Sequence, residues 1–198
     1  MRPSFRAVAA LTVALAAVAP ARAVDGAPPA DGLLRATVTH VVDGDTVDVT
    51  LRGRRERVRL IGVDAPELHD VPKLHRDAAR TRRSATAIQA LGRDAARFTT
   101  AGLLGKTVGL ELDVERRDRY GRLLAYVWLP DGTLFNAELL RTGHAQLMTI
   151  PPNVRYVDVF RRLQREARAH RRGLWATAPP HRPAWRRAPR PWRPALAG

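Results

Sequence analysis

The stretch LLRATVTHVVDGDTVDVTLRGRRERVRLIGVDAPE, residues 33–67, decides the fold of this chain. It contains three runs in which β-branched residues alternate with polar ones, and the runs are separated by DGD and by RGRRE, which both contain glycine. Such alternation is typical of half-buried strands, and a glycine-bearing loop between two of them favours a hairpin. The stretch therefore predicts three consecutive strands of an antiparallel meander.

Two more strands and three helices follow from the remaining patterns. TVGLELDV and LLAYVWLP have the same β-branched character and are separated by ERRDRYGR. Helical periodicity runs from about Ala78 to Leu104, through LFNAELLRTG, and through VDVFRRLQREARAHRRGLW, and a glycine ends each of the three. Five strands, with one helix after the third and two after the fifth, predict a small α+β domain that is mainly β. A five-stranded OB-fold barrel with three helices is the natural candidate.

The beginning of the chain has the three parts of a secretory signal peptide. MRPSFR supplies two arginines, AVAALTVALAAVAP is an uncharged apolar run, and ARA at residues 21–23 fits a cleavage site between small residues. We therefore predict a signal peptide over residues 1–23, with an uncleaved N-terminal anchor as the alternative. No later stretch is long and apolar enough for a membrane helix, so the expected destination is outside the cell or in a periplasm.

The end of the chain is also different in composition. ATAPPHRPAWRRAPRPWRPALAG, residues 176–198, holds six prolines and five arginines and no acidic residue. Such a stretch is too poor in apolar residues to pack, which predicts a disordered tail. The expected organisation is then a flexible segment over residues 24–32, one folded domain over residues 33–175, and this tail.

The composition also restricts the function. The chain contains no cysteine, which excludes disulfides and thiolate zinc sites. Its formal net charge of +15 indicates a polyanionic partner, either nucleic acid or an anionic membrane or wall surface. The folded part remains basic when both ends are left out.

Acidic residues stand at the ends of the predicted strands. Asp43 and Asp45 flank one glycine before the second strand, and the third strand ends in VDAPE, which contains Asp64 and Glu67. If the first and third strands are neighbours, Asp45 and Asp64 converge at one end of the barrel. Oxygen ligands without cysteine suit a hard cation such as Ca²⁺, although Mg²⁺ or Mn²⁺ also fits. Glu67 would then hold a water molecule for general-base hydrolysis.

Each of these patterns also has a purely structural interpretation. Asp-Gly is a common turn signal, and DAPE can cap a helix. Arg59 can be a surface arginine paired across a hairpin. RDRYGRLLAY, however, places Arg122 at the start of the fifth strand, so two guanidinium groups can approach the carboxylates. A cation, two arginines and a carboxylate base are what phosphoryl transfer to water requires.

From about Leu33 to Trp175 the chain resembles the staphylococcal nuclease (thermonuclease) family. The resemblance rests on five blocks in order: DGDTV, VRLIGVDAPE, RDRYGRLLAY, LFNAELLRTGHA and NVRYVDVFRRLQREARAHRRGLW. It implies a five-stranded OB barrel with three helices. It also implies a Ca²⁺-dependent enzyme that hydrolyses DNA and RNA with little sequence specificity and leaves 3′-phosphates. We expect single-stranded substrates to be preferred and the protein to be a monomer.

The resemblance also implies a metal site and a base. Asp45 and Asp64 resemble the family's two calcium-binding aspartates. Ala65 stands where the prototype has threonine, which ligates through its backbone carbonyl, so alanine can serve. Glu67 resembles the glutamate that orients or deprotonates the attacking water.

The resemblance also implies roles in substrate binding for three arginines and one tyrosine. Arg59 and Arg122 resemble the two arginines that stabilise the pentacoordinate phosphorane. Arg119 and Tyr120 match positions that contact the terminal phosphate of the nucleotide.

The chain departs from the family in two places. Thr149 corresponds to the position of a tyrosine that stacks on the nucleotide base in the prototype, so we expect weaker stacking or stacking by another residue. The second departure is the basic segment over residues 68–92, which is longer than the family minimum. It is interpreted either as a flap that contacts the nucleic-acid backbone or as a longer, solvated first helix.

Two functions of other classes compete with a nuclease. One is a non-catalytic nucleic-acid-binding module of the same fold, since such barrels bind single strands by charge. The other is a cationic envelope-binding or antimicrobial protein that acts through the C-terminal tail. The nuclease is favoured because the chain has the complete set of Asp45, Arg59, Asp64, Glu67 and Arg122, for which a binding protein has no need.

Overall fold

The computed structural model of the chain describes residues 28–29, 31–69, 71–81 and 83–176. The predicted signal peptide, most of the segment over residues 24–32 and the tail beyond residue 176 lie outside the described residues. Within the described ranges, the helices are all too short or too polar to cross a membrane.

Five strands form a closed barrel, as the sequence predicts. The strands are β1 (Leu34–Val41), β2 (Thr46–Leu51), β3 (Arg54–Leu60), β5 (Thr107–Glu111) and β6 (Leu123–Trp128), with β4 introduced below. Their order around the barrel is β1-β2-β3-β6-β5, and β5 pairs with β1 to close it. The β3–β6 pair is parallel and the other four pairs are antiparallel.

Two very short strands, which the sequence did not indicate, form a separate ladder beside the barrel. They are β4 (Val63–Asp64) and β7 (Gln146–Leu147), and they pair in antiparallel fashion. This ladder ties the residues just after β3 to a part of the chain more than eighty positions away. It therefore fixes the position of Asp64.

The described helices are α1 (Pro72–Thr81), α2 (Ala85–Leu103), α3 (Phe135–Thr142) and α4 (Val157–Ala169), followed by a 3₁₀ turn over Gly173–Trp175. The prediction of one helix from about Ala78 to Leu104 was wrong at its start. Ser84 begins a new helix, because its side chain accepts a hydrogen bond from the backbone N–H of Ala87 at 3.1 Å. The segment over residues 68–92 thus contains a separate helix, with Leu74 buried, in place of a longer first helix.

Apolar side chains from the strands fill the barrel, and α3 and α4 cover one side of it. The alternating positions that the sequence marked as apolar point inward, including Val38, Val47, Val49, Val58, Leu60 and Leu110. Asn136 of α3 is fully buried. Its side-chain Nδ2 donates to the backbone carbonyl of Ile61 at 2.9 Å, and its side-chain Oδ1 accepts from the Val127 N–H at 2.8 Å. This side chain joins α3 to the end of β3, where the candidate site begins.

Candidate active site

Asp45 lies in a tight acidic loop between β1 and β2. The Asp43 carboxylate accepts a hydrogen bond from the Asp45 N–H at 3.0 Å, which is the side-chain turn that aspartate favours. Asp45 itself is buried, and its Oδ2 accepts from the backbone N–H of Ala65 at 2.6 Å. The loop before β2 is therefore joined directly to the residue that follows Asp64.

Arg59 lies between the two predicted metal-binding aspartates. Its Nη1 is 3.0 Å from Oδ1 of Asp45, and its Nη2 is 3.5 Å from Oδ1 of Asp64. The three side chains are at most 10% exposed. Nη1 also donates to the carbonyl of Val63 at 2.9 Å, so the guanidinium is held by the backbone as well.

The two aspartates meet by a different route from the one expected. The sequence predicts convergence if the first and third strands are neighbours, but β2 lies between them in the barrel. Thr46 at the start of β2 pairs with Arg59 near the end of β3, and the Leu60 N–H donates to the Asp45 carbonyl at 2.9 Å. The convergence of Asp45 and Asp64 therefore depends on the β2–β3 register and on the turn after β3.

The electrostatics of this cluster favour an added positive charge. Burial, together with the neighbouring Asp43 and Asp64 carboxylates and against the attraction of Arg59, raises the pKa of Asp45 to about 7. Both buried carboxylates contact the Arg59 guanidinium. Two oxygen-bearing acids beside a backbone segment are the donor chemistry that a hard cation prefers. No group of three or more His, Asp or Glu side chains poised for a metal occurs among the residues that the structure describes.

Helix α2 packs tightly against both acidic loops through small residues. A Cβ on Gly44 would lie 2.6 Å from the Ala65 Cβ and 2.7 Å from the Ala95 Cβ, so only glycine fits there. Thr99 Oγ1 donates to the Gly44 carbonyl at 2.7 Å and is fully buried. A Cβ on Gly92 would lie 2.5 Å from the carbonyl oxygen of Glu67. The helix thus sets the positions of the DGD loop and of the half-buried Glu67.

The hairpin loop before β6 presents the remaining predicted residues. Asp118 organises it: Oδ1 accepts from the N–H groups of Tyr120 and Arg122 at 2.9 and 3.0 Å, and Oδ2 accepts from Arg122 Nε at 2.7 Å. Gly121 has a φ of 79°, which suits glycine at the last position of this turn. Burial would raise the pKa of Asp118, but its hydrogen bonds with Arg122 outweigh burial and lower the pKa.

The ring of Tyr120 is close to two arginines of this loop. The Arg119 guanidinium carbon is 4.7 Å from the centroid of the Tyr120 ring, and that of Arg122 is 5.6 Å from it. Arg119 also donates to the Tyr120 hydroxyl at 2.6 Å, while Tyr120 as a whole residue is 68% exposed. The loop therefore offers an aromatic face and two cations to solvent.

A cavity of about 390 Å³ lies between Arg59 and the loop before β6. Its wall includes Arg59, Arg119, Tyr120, Arg122, Met148 and Ile150. The two predicted phosphate-binding arginines thus face one cavity, because β3 and β6 are parallel neighbours that pair Arg59 with Leu124. Thr149 is exposed, and it is the apolar Met148 and Ile150 on either side of it that line the cavity.

Sequence reasoning missed three residues that shape the site. Gln146 Nε2 donates to Asp64 Oδ2 at 2.9 Å, through the β4–β7 ladder, and no sequence pattern pointed to it. Gly92 gave no signal either, because its role comes from tertiary packing. Asp118 could have been found, since an acid four positions before Arg122 in a glycine-bearing turn is a recognisable pattern.

The sequence of the chain is similar to those of several known proteins. The sequence model of the family described as staphylococcal nuclease homologue matches residues 57–177, a range that includes Arg59, Asp64, Glu67 and Arg122. The thermonuclease of Staphylococcus intermedius is 40% identical over 138 residues, which are 70% of this chain and 74% of that protein. The thermonuclease of Staphylococcus hyicus is 35% identical over 139 residues, with the same two shares. Endonuclease YncB of Bacillus subtilis (strain 168) is 33% identical over 146 residues, 73% of this chain and 63% of that protein.

Proposed function

This chain belongs to the staphylococcal nuclease family, and from that premise we propose that it is a calcium-dependent nuclease. It is a hydrolase of nucleic acids, and the proposal extends to its substrates and products. The enzyme cuts phosphodiester bonds of DNA and RNA with little sequence specificity, leaves 3′-phosphates and prefers single strands. The observation that carries the proposal is the contact of Arg59 with both Asp45 and Asp64 at the edge of the cavity that Arg122 lines.

Asp45, Asp64 and the backbone carbonyl of Ala65 are the groups that would hold Ca²⁺. The fit rests on the burial of both carboxylates, on the raised pKa of Asp45 and on the hydrogen bond that brings Ala65 to Asp45. When bound, the ion neutralises charge that develops on the phosphate. Gln146 holds Asp64 in place from the other side at 2.9 Å.

The remaining residues act directly on the substrate and on water. Arg59 and Arg122 line one cavity, so their planar guanidinium groups can bind the oxygens of one phosphate from two sides. Arg119 and Tyr120, on the exposed loop, bind the adjacent phosphate. Glu67, three residues beyond Asp64, accepts a proton from the attacking water. Met148 and Ile150 give the base an apolar surface where the prototype has tyrosine.

The proposal also includes the domain organisation of the chain and its localisation. A signal peptide over residues 1–23 is removed, a flexible segment covers residues 24–32, the nuclease domain covers residues 33–175 and an arginine-rich tail follows over residues 176–198. The protein is secreted or periplasmic and acts as a monomer. N-terminal sequencing of the exported protein tests the cleavage site, and light scattering tests the monomer.

The central experiment measures degradation of single-stranded DNA by the mature chain with Ca²⁺ and with a chelator. Glu67→Gln and Arg59→Ala are compared with Glu166→Gln and Arg165→Ala, matched changes at exposed positions of α4. We expect Ca²⁺-dependent cleavage that falls at least about 100-fold in the two site variants, as loss of a general base or of a charge-stabilising group does. The α4 variants should retain full activity.

A different result would support the non-catalytic alternative. If the wild-type chain binds DNA but leaves it intact with Ca²⁺, Mg²⁺ or Mn²⁺, the nuclease proposal is wrong for this chain. If cleavage is unaffected by the chelator, the calcium part alone fails.

A further inference from the structure

Three arginines occupy alternate positions on the outer face of β3. Arg55, Arg57 and Arg59 project on the same side of the strand, while Val58 and Leu60 between and beyond them are buried in the barrel. Residues two apart on a strand are separated by roughly 7 Å. The outer face of β3 therefore carries a straight row of guanidinium groups that begins at the candidate active site and runs away from it. We call Arg55 and Arg57 the outer arginine pair.

A single buried acid supports the outer arginine pair. Asp48 of β2 lies directly opposite Arg57 in the ladder, and its side chain is 1% exposed. Its Oδ1 accepts from Arg57 Nε at 2.8 Å, and its Oδ2 accepts from Arg55 Nη2 at 2.5 Å. His40 Nδ1 lies 3.5 Å from the same carboxylate. The buried Asp48 carboxylate thus fixes the positions of both exposed arginine side chains.

The outer arginine pair remains able to bind another anion. The Arg55 and Arg57 side chains are 69% and 50% exposed. A guanidinium has five N–H donors, and in this structure Arg55 uses one and Arg57 uses two on Asp48. The pair has two positive charges and is in direct contact with one carboxylate, while Asp43 attracts Arg57 from a greater distance. The direct contacts therefore leave an excess of positive charge on the surface. An ordinary surface ion pair has one acid for each base and leaves no such excess.

We propose that Arg55 and Arg57 extend the substrate site and bind backbone phosphates of a single-stranded nucleic acid whose scissile phosphate lies at Arg59. The inference rests on the proposed nuclease function. A single-stranded nucleic acid that lies along β3 contacts the three arginines of the row one after another, as in barrels that bind single-stranded nucleic acids along a positively charged groove. Asp48 acts in this arrangement as a positioning residue for the two arginines.

The test compares a long single-stranded oligonucleotide with a dinucleotide, which is too short to extend from the active site to the outer arginine pair. The variant is Arg55→Gln/Arg57→Gln, and the control is Arg161→Gln/Arg165→Gln, which removes the same charge from exposed positions of α4. A third variant adds Asp48→Asn to the first, so that no buried carboxylate loses its partners. Thermal unfolding confirms that each variant is folded.

We expect the KM for the long strand to rise about tenfold or more in both outer-pair variants, with little change for the dinucleotide. We also expect the slope of log K against log salt to become less steep by about 1.4, which is about 0.7 for each of two phosphates. The inference is overturned if the KM and the slope match those of the α4 control. It is also overturned if both substrates are affected equally, because the residues would then act on the active site itself.

Binding in the presence of a chelator separates this inference from the proposed function. Fluorescence anisotropy with the long strand measures the salt slope without cleavage. If the wild-type chain does not cut DNA, the nuclease proposal fails, but a reduced slope in the outer-pair variants still supports the phosphate row. An unchanged slope contradicts the row whether or not the enzyme cuts.

Discussion

Gly92 of α2 lies in direct contact with the backbone of Glu67, the proposed general base. A Cβ at position 92 would be 2.5 Å from the Glu67 carbonyl oxygen and 2.9 Å from that of Pro66, distances that no real Cβ tolerates. The helix and the loop can approach this closely only because position 92 has no side chain. The position of the base thus depends on a residue twenty-five positions away in the chain.

Gly92→Ala should therefore displace Glu67. We expect a loss of stability of about 1–3 kcal/mol from overpacking, together with a fall in kcat larger than any change in KM. Thermal unfolding and steady-state kinetics on single-stranded DNA measure the two effects.

Gly102→Ala is the matched control for that prediction. Gly102 is on the same helix, and a Cβ there would lie 2.5 Å from a ring carbon of Phe135, away from the acidic loops. This variant should lose stability but keep its kcat. Equal loss of kcat in both variants would show that α2 affects activity only through global stability.

Thr99→Val should loosen the acidic loop. The Thr99 hydroxyl is buried and donates to the carbonyl of Gly44, which loses its partner in the variant. We expect a loss of about 1–3 kcal/mol in the free energy of unfolding and weaker calcium binding. Denaturant titration and calorimetry measure these quantities.

Thr100→Val provides the comparison on the next residue. The Thr100 hydroxyl is exposed and donates to the carbonyl of Ala96 within the same helix. Calcium binding should be unchanged in this variant. The assignment to the loop is wrong if Thr99→Val binds calcium as tightly as Thr100→Val.

Asp118→Asn should reduce activity through Arg122. The variant keeps an acceptor for the turn but loses the charged oxygen that holds Arg122 Nε at 2.7 Å. We expect about 10–100-fold lower kcat/KM on single-stranded DNA, since a catalytic group misplaced by about 1 Å costs about that much.

A double-mutant cycle identifies the residue through which Asp118 acts. In an Arg122→Ala background, Asp118→Asn should cost little more activity, because its target is already gone. Asp158→Asn, at a 90% exposed position of α4, should have no effect in either background. Additive losses for Asp118 and Arg122 would mean that Asp118 acts in another way.

The ion pairs of Asp48 should make stability depend on pH in acid. The hydrogen bonds from Arg57, and then those from Arg55, hold the pKa of Asp48 at about 2, below its ordinary 3.8, although burial opposes the shift. Because the pKa of Asp48 is lower in the folded than in the unfolded protein, the ionised side chain stabilises the fold at pH values above the unfolded-state pKa. This contribution disappears as the pH falls from about 4 to about 2. It amounts to about 2 kcal/mol near neutral pH.

Asp48→Asn checks this pH dependence. The variant should be less stable than the wild type by about 2 kcal/mol near neutral pH, and the difference should shrink toward zero near pH 2. Denaturant unfolding at a series of pH values measures it. A difference that stays constant from neutral pH to pH 2 would show that the cost comes from packing and not from the charge.

The sequence alone was sufficient for the features that depend on short-range patterns. All five barrel strands, β1, β2, β3, β5 and β6, were predicted from residue alternation and from the glycine-bearing turns. This works because the alternation of apolar and polar residues within a strand shows which of its faces is buried. The end of α2 was predicted from Gly105 for the same reason. The acidic and basic candidates were identified from motifs a few residues long.

Tertiary structure decided how those candidates meet. Asp45 and Asp64 converge across the β2–β3 register and not through neighbouring first and third strands, because the two hairpins of the meander place β2 between β1 and β3. Gln146 reaches Asp64 from eighty-two positions away, and Gly92 fits against Glu67 only once α2 has packed on the barrel. Such contacts depend on long-range packing, which no local pattern of residue types encodes.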